Sequence, residues 1–379
     1  MLTALSASLV ATCASAPPKE GDGLSAAREN ADAIAPELVA VPGPAPRRRT
    51  FDALAVNARC ESCHVDVAAE WRGSLHQVAL TDPVVRHQLE REPFPFCTGC
   101  HAPESAAPAG APDELSRLGV GCVTCHVVGE RLLASHASRE IENDAPAPHR
   151  VDRTADFDGS MGCGACHEFA FPEARRTSSG LLMQSTVGEH ARSAFADRSC
   201  GSCHMPVVAG ASEGAHKSHR FASSRDEASV RSAIRVDQAI TDGQLVLTLR
   251  PGDVGHAFPT GDMLRRLTLA IDVVDANGES LGRAEHHFQR SFGFERLPFQ
   301  ALKRIEIGDD RVGAGASPVV FRYALPKRAL PNRASPSGGR GATLHYTLRY
   351  ERVSDPSGGA GADPVIDGSI LLREATIPL

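Results

Sequence analysis

Five Cys-x-x-Cys-His motifs lie between residues 60 and 204. They read Cys60-Glu-Ser-Cys63-His64, Cys97-Thr-Gly-Cys100-His101, Cys122-Val-Thr-Cys125-His126, Cys163-Gly-Ala-Cys166-His167 and Cys200-Gly-Ser-Cys203-His204. Two thiols at this spacing add across the vinyl groups of a haem, and the following histidine ligates its iron. With 11 Cys and 16 His in 379 residues, a shuffled chain would contain the pattern about 0.01 times. Composition therefore does not explain five copies. Zinc sites also pair cysteines, but nothing in them requires a histidine after every second one. Redox Cys-x-x-Cys pairs come singly, near a βαβ pattern. The set predicts five covalently attached haem c groups, with His64, His101, His126, His167 and His204 as proximal ligands.

Eleven histidines remain for the opposite faces of the irons: His76, His87, His136, His149, His190, His216, His219, His256, His286, His287 and His345. Methionine is scarce at five residues, and Met205 follows His204 too closely to reach the far side of the same iron. His/His ligation gives lower potentials than Met/His, so low-potential electron transfer is expected.

The elements that must position these groups divide the chain. Residues 1–13 form a short apolar run ending at Cys13, which looks like a lipoprotein signal with Cys13 as the acylated residue. No Lys or Arg precedes the run. Either route, lipoprotein or plain secretory signal, implies export to the periplasm or an outer-membrane anchor. Residues 14–50, with Pro17-Pro18, Pro42-Gly-Pro44 and Arg47-Arg48-Arg49, read as a disordered tether whose arginines are solvated.

Residues 51–229 read as a haem-binding domain of short helices and loops. Helices are expected over Val65–Gln77 and, opened by Asp82-Pro83, over Val84–Arg91. Motif starts 25 to 41 residues apart leave no room for a conventional core, so the porphyrins must do much of the packing. Aromatics make up only 5% of the chain, which fits that expectation.

Residues 230–379 hold no cysteine and alternate with period two. Leu245, Leu247 and Leu249 share a face, as do Leu267, Leu269, Ile271 and Val273, and Leu344, Tyr346, Leu348 and Tyr350. His345 falls on the opposite face. Turns are expected at Asp242-Gly243, Asn277-Gly278 and Gly308–Asp310. The fold class is therefore α+β and multidomain: a mostly helical, loop-rich haem module followed by an antiparallel β-sandwich of seven or eight strands. A net charge of −6 argues against nucleic acid as a partner.

Trp71-Arg-Gly-Ser74-Leu-His76 resembles the W-x-x-S-x-H signature of multihaem cytochromes of the cytochrome c-554 type, relatives of the hydroxylamine oxidoreductases. Gly119-Val-Gly121-Cys122 through His126, Pro148-His149, Gln184-Ser-Thr186 through Glu189, His204-Met205-Pro206 and Ser218-His219-Arg-Phe221 are similar to further signatures of that class. The resemblance spans about residues 55–270 and implies distal ligation by His76, His136, His149 and His219. His87 and His216 stand behind these, and His190 occupies a place where the class usually has Trp.

Gly255-His256-Ala-Phe258-Pro259-Thr260-Gly261-Asp262 resembles the G-H-x-F-P-T-G element that follows the haem region in many such cytochromes. Four matched distal histidines leave one of five irons unserved, and His256 is expected to complete it. The ligand count favours an extracytoplasmic electron carrier working with other redox proteins or a membrane respiratory complex, with no residue singled out as catalytic. The alternative is a multihaem reductase or oxidase of small nitrogen or similar compounds with one open haem. Against it, the chain has no Cys-x-x-Cys-Lys, and its tyrosines, Tyr323, Tyr346 and Tyr350, all lie outside the haem region. A third expectation, compatible with the first, makes the sandwich a docking module.

Overall fold

A computed structural model describes residues 49–91, 95–105, 113–136, 148–171, 180–261, 263–296, 302–315, 318–330, 341–355 and 363–379. Cys13, Asp262 and all of the expected tether but its last two residues lie outside the described residues. Among the described residues no helix is long and apolar enough to cross a membrane.

The chain divides into two compact units. One comprises residues up to Cys166 together with Arg198–Ala222, the other His167–Asp197 together with Ser223–Leu379. An excursion from the region of the motifs thus joins the second unit. Side-chain chemistry explains the excursion. The Arg290 guanidinium donates to the carbonyls of Met183 and Leu182, Phe171 meets Phe292 edge-on at 5.0 Å, and Arg304 covers the Phe171 ring at 4.5 Å.

Along the chain the short strands come first: β1 (Val127–Val128), β2 (Arg131–Ala134), β3 (Asp152–Arg153), β4 (Glu168–Ala170), β5 (Leu182–Ser185), β6 (Val207–Ala209) and β7 (Ala215–Lys217). They alternate with short helices, and every motif sits at a helix C-terminus. These helices are Ala53–Cys63, Pro95–His101, Cys122–His126, Ser160–His167 and Cys200–His204, the first of them capped by His64. One helical turn places thiols three residues apart on one side, with the next imidazole above the first of them. Side-chain caps start the turns: Asp52 accepts from the amides of Leu54 and Ala55, and Ser199 from Ser202.

The helix expected over Val65–Gln77 ends at Arg72, where Gly73 caps it, and it buries Ala68 and Trp71. Pro83–Arg91 is helical, its first turn capped by Asp82, which accepts from Val84 N. A small core of Ala53, Trp71, Leu118 and Val123 holds this region. Arg49 is not solvated as expected of the tether: its guanidinium pairs in bidentate fashion with the buried Glu104 and also donates to the Val123 and Val127 carbonyls.

The second unit is built on β8 (Ile234–Thr241), β9 (Gln244–Pro251), β10 (Arg265–Val274), β11 (Ser280–Phe288), β12 (Arg290–Arg296), β13 (Leu302–Asp309), β14 (Val319–Ala324), β15 (Thr343–Asp355) and β16 (Val365–Pro378). They form a four-stranded sheet β11-β10-β15-β16, a three-stranded sheet β14-β9-β8 and the pair β12-β13, all antiparallel. One hydrophobic core joins the first two sheets. The three alternating leucines of β9, four positions of β10 and four of β15 are each at most 3% exposed. Fully burying a side chain of this kind is worth about 1.5–3 kcal/mol, so the alternation fixes which face turns inward.

Asp242 and Gly243 both have positive φ (50° and 71°), the backbone of a two-residue hairpin that matches strand twist. Gly278, at φ 82°, turns β10 into β11. The turn expected at Gly308–Asp310 is instead the end of β13: Gly308 pairs with Ser291 and Asp309 with Arg290, beyond a bulge. The glycine there relieves the irregular register rather than reversing the chain.

Candidate haem-binding sites

None of the ten motif cysteines is joined to another in a disulfide. Within the first unit, thiols of different motifs approach one another. Cys163 hydrogen-bonds Cys200, and Cys122 lies within electrostatic reach of Cys60. Burial, helped by the nearby Cys60 and Glu61, pushes the Cys122 thiol up to about 12.

The motif imidazoles are oriented through Nδ1. His101 Nδ1 lies 2.6 Å from the Ala79 carbonyl, His126 Nδ1 2.7 Å from that of Leu133, and His204 Nδ1 2.8 Å from that of Ala222. A carbonyl can only accept, so Nδ1 carries the proton and Nε2 presents a lone pair. That is the tautomer a metal-ligating histidine needs, with the outer hydrogen bond fixing the ring. His64 Nδ1 instead meets a carboxylate, Glu213 Oε2, at 2.9 Å. His167 Nδ1 faces the Gln184 amide at 3.4 Å. Paired thiols followed by a ring held in this way fit a covalently attached, His-ligated haem.

Two expected distal histidines lie opposite motif histidines. The His149 ring centre is 6.2 Å from that of His64, with the rings inclined by 57°. The His219 ring centre is 6.1 Å from that of His126, inclined by 28°. His219 is held by Nδ1 donation to the Lys217 carbonyl at 2.8 Å and by its backbone amide, which donates to Glu70 Oε2 at 2.8 Å. Burial and the neighbouring His126 push His219 down to about 4, and burial also lowers His126. Both rings are therefore neutral at pH 7, the form that ligates.

His76 packs against Phe221, ring centres 4.2 Å apart. Its carbonyl accepts from Val120 N, while the Trp71 indole donates to the Val120 carbonyl. Gly119 (φ 61°) lies so close that a Cβ there would come within 2.4 Å of the His76 carbonyl oxygen. The tryptophan and glycine signatures are thus one substructure. His136 is exposed beyond the end of β2.

His256 stands in a loop of the second unit, its Nδ1 3.1 Å from the Ala257 carbonyl. Glu189 organises that loop: it accepts from Ala257 N and the Thr260 hydroxyl through one oxygen, and from Arg311 and the Ser185 hydroxyl through the other. Burial alone would raise Glu189, but the Arg311 guanidinium and these hydrogen bonds hold it below its ordinary value. Arg311 also donates to the Pro259 carbonyl at 3.0 Å. A relay runs from Thr260 through Thr186 (3.1 Å) and Gln184 to His167, tying the His256 loop to the fourth motif histidine.

The other candidates have separate surroundings. His87 is exposed on its helix. His190 lies beneath Gly255, where a Cβ would come within 3.1 Å of its ring. His216 is half-buried, with Nε2 3.4 Å from Glu70. His286 meets Asp310 and His287 meets Thr268, on opposite sides of β11. Sequence reading gave no role to Glu189, Arg311 or Glu213. Glu189 closes the Gln184–Glu189 signature, so its position was marked, whereas Glu213 carried no signal.

Residues 59–127 match the family model described as cytochrome c554 and c-prime. Cytochrome c-554 of Nitrosomonas europaea is 26% identical over 133 residues, 29% of this chain and 55% of that protein. The chain thus spans about half the length of that curated relative. Among solved structures, the penta-heme cytochrome c552 of Thermochromatium tepidum is similar with a TM-score of 0.60 and 21% identity, over 84% of this chain and 97% of that one. That likeness is one of fold.

Proposed function

We propose that this chain is an exported pentahaem c-type cytochrome that carries electrons through closely spaced, mainly bis-His haems. The reading rests above all on the two imidazole pairs. A metal–imidazole bond is about 2 Å and the ring centre lies about 1 Å further, so two rings facing one metal stand roughly 6 Å apart. The pairs His64/His149 and His126/His219, at 6.2 and 6.1 Å, have that spacing.

A haem held at each motif supplies an iron that gains and loses one electron. The chain's own groups do the rest. The cysteine pairs would hold the macrocycle, the Nδ1 hydrogen bonds would orient the proximal rings, and His149 and the neutral His219 would serve two of the irons from the other side. We assign His76 and His256 to two further irons and His136 to the remaining one. The contact between Cys163 and Cys200 supports close neighbours in the fourth and fifth positions. We read the two sheets over one core as a β-sandwich, with other redox proteins or a membrane respiratory complex as partners. A lipid on Cys13 would anchor the chain to the outer membrane.

The test is the optical spectrum of the reduced protein with and without carbon monoxide, together with intact mass. Five haem masses above the processed chain and a spectrum insensitive to carbon monoxide support an electron carrier. A mass without haem sinks the reading. Carbon monoxide binding at one haem favours the open-site reductase instead.

A further inference from the structure

The motif histidines differ in what their outer nitrogen meets. His101, His126 and His204 each donate to a neutral backbone carbonyl, but His64 donates to the Glu213 carboxylate at 2.9 Å. The contact is built rather than incidental. Glu213 Oε1 accepts from Asp66 N at 2.7 Å, and Asp66 Oδ2 accepts in return from Ser212 N at 2.6 Å and Glu213 N at 3.0 Å. This reciprocal clasp fastens the turn between β6 and β7 to the residues just after the first motif. Gly214, at φ 75°, shapes the turn, and a Cβ on Gly210 would sit 2.6 Å from Asp66 Oδ2. The Glu213 side chain is only 17% exposed although His64 is 53% exposed, so its charge is weakly screened on the side facing the ring.

We propose that Glu213 is a positioning residue that lowers the reduction potential of the haem held by His64, relative to the motifs whose histidines donate to carbonyls. A carboxylate draws the Nδ1 proton more strongly than a carbonyl does and makes Nε2 a more basic ligand. It also places a fixed negative charge near the iron. Both effects favour the oxidised, more positive state. The inference rests on the haem-binding reading and assigns the first haem to the low-potential end of the set.

The experiment is spectropotentiometry of the purified holoprotein, wild type against Glu213→Gln, with Glu227→Gln as a charge control on an exposed carboxylate of the other unit. The isosteric amide can still accept from Asp66 N. The expected result is one of five redox waves moved to higher potential in Glu213→Gln, with haem content and low-spin bands unchanged, and no wave moved in Glu227→Gln. Five unmoved waves in a fully loaded Glu213→Gln protein would overturn the proposal. So would an equal shift of all five, which marks a general charge effect. Should Glu213→Gln lose haem, Glu213→Asp decides, since it keeps the charge but draws the carboxylate back from His64 Nδ1. One wave moving upward supports the proposal and five unmoved waves refute it. Failure of the haem reading shows separately, as wild-type protein without haem bands.

Discussion

The ring of His219 lies 6.1 Å from that of His126, inclined by 28°, although the two come from distant parts of the chain. Their Nδ1 atoms are committed to the carbonyls of Lys217 and Leu133, which leaves both Nε2 atoms as acceptors. Two neutral imidazoles held this way are the pair that the proposed bis-His ligation would use.

His219→Ala and His149→Ala should each convert one low-spin haem to a high-spin form that binds carbon monoxide. His345→Ala should change nothing, because that ring is exposed and bonds Thr376. Carbon monoxide difference spectra of the three variants check this, and unaltered low-spin spectra in the first two would remove the axial pairing.

His256→Ala should likewise open one iron. Glu189→Gln and Arg311→Met should weaken the same ligation indirectly, because the pair holds the loop through Ala257, Pro259 and Thr260. Removing one partner of a buried ion pair costs about 3–5 kcal/mol. The expected outcome is partial high-spin signal with a lowered melting temperature. A stable, wholly low-spin Arg311→Met protein would contradict the role of the network.

Leu247→Ala and Leu348→Ala remove fully buried side chains from the core between the sheets. Each should cost about 2–5 kcal/mol, read by denaturant unfolding, while the five redox waves keep their potentials.

If Cys13 is acylated, the protein should partition into detergent and Cys13→Ser should release it in soluble form. Recovery of the unaltered protein wholly in the aqueous phase would remove the lipid anchor.

Much of the architecture was legible along the chain, because local repeats report local chemistry. Motif spacing predicts thiols and a histidine on one helical turn, and each motif ends a helix. Period-two alternation named the inward faces of β9, β10 and β15, since a one-residue slip would expose every leucine. The turn at Gly308 misled because a glycine at a bulge looks like a glycine at a reversal. Arg49 misled because only the fold supplies Glu104.

What the sequence by itself determined is therefore the chemistry within one helical turn or one strand: which residues can bind a haem and which face of a strand is apolar. The tertiary structure alone decided which histidine rings come near one another, that residues 167–197 join the second unit, and that His64 meets a carboxylate where His101, His126 and His204 meet carbonyls. These depend on contacts between residues far apart in the chain, whose closure rests on packing and buried polar pairing that no local period records.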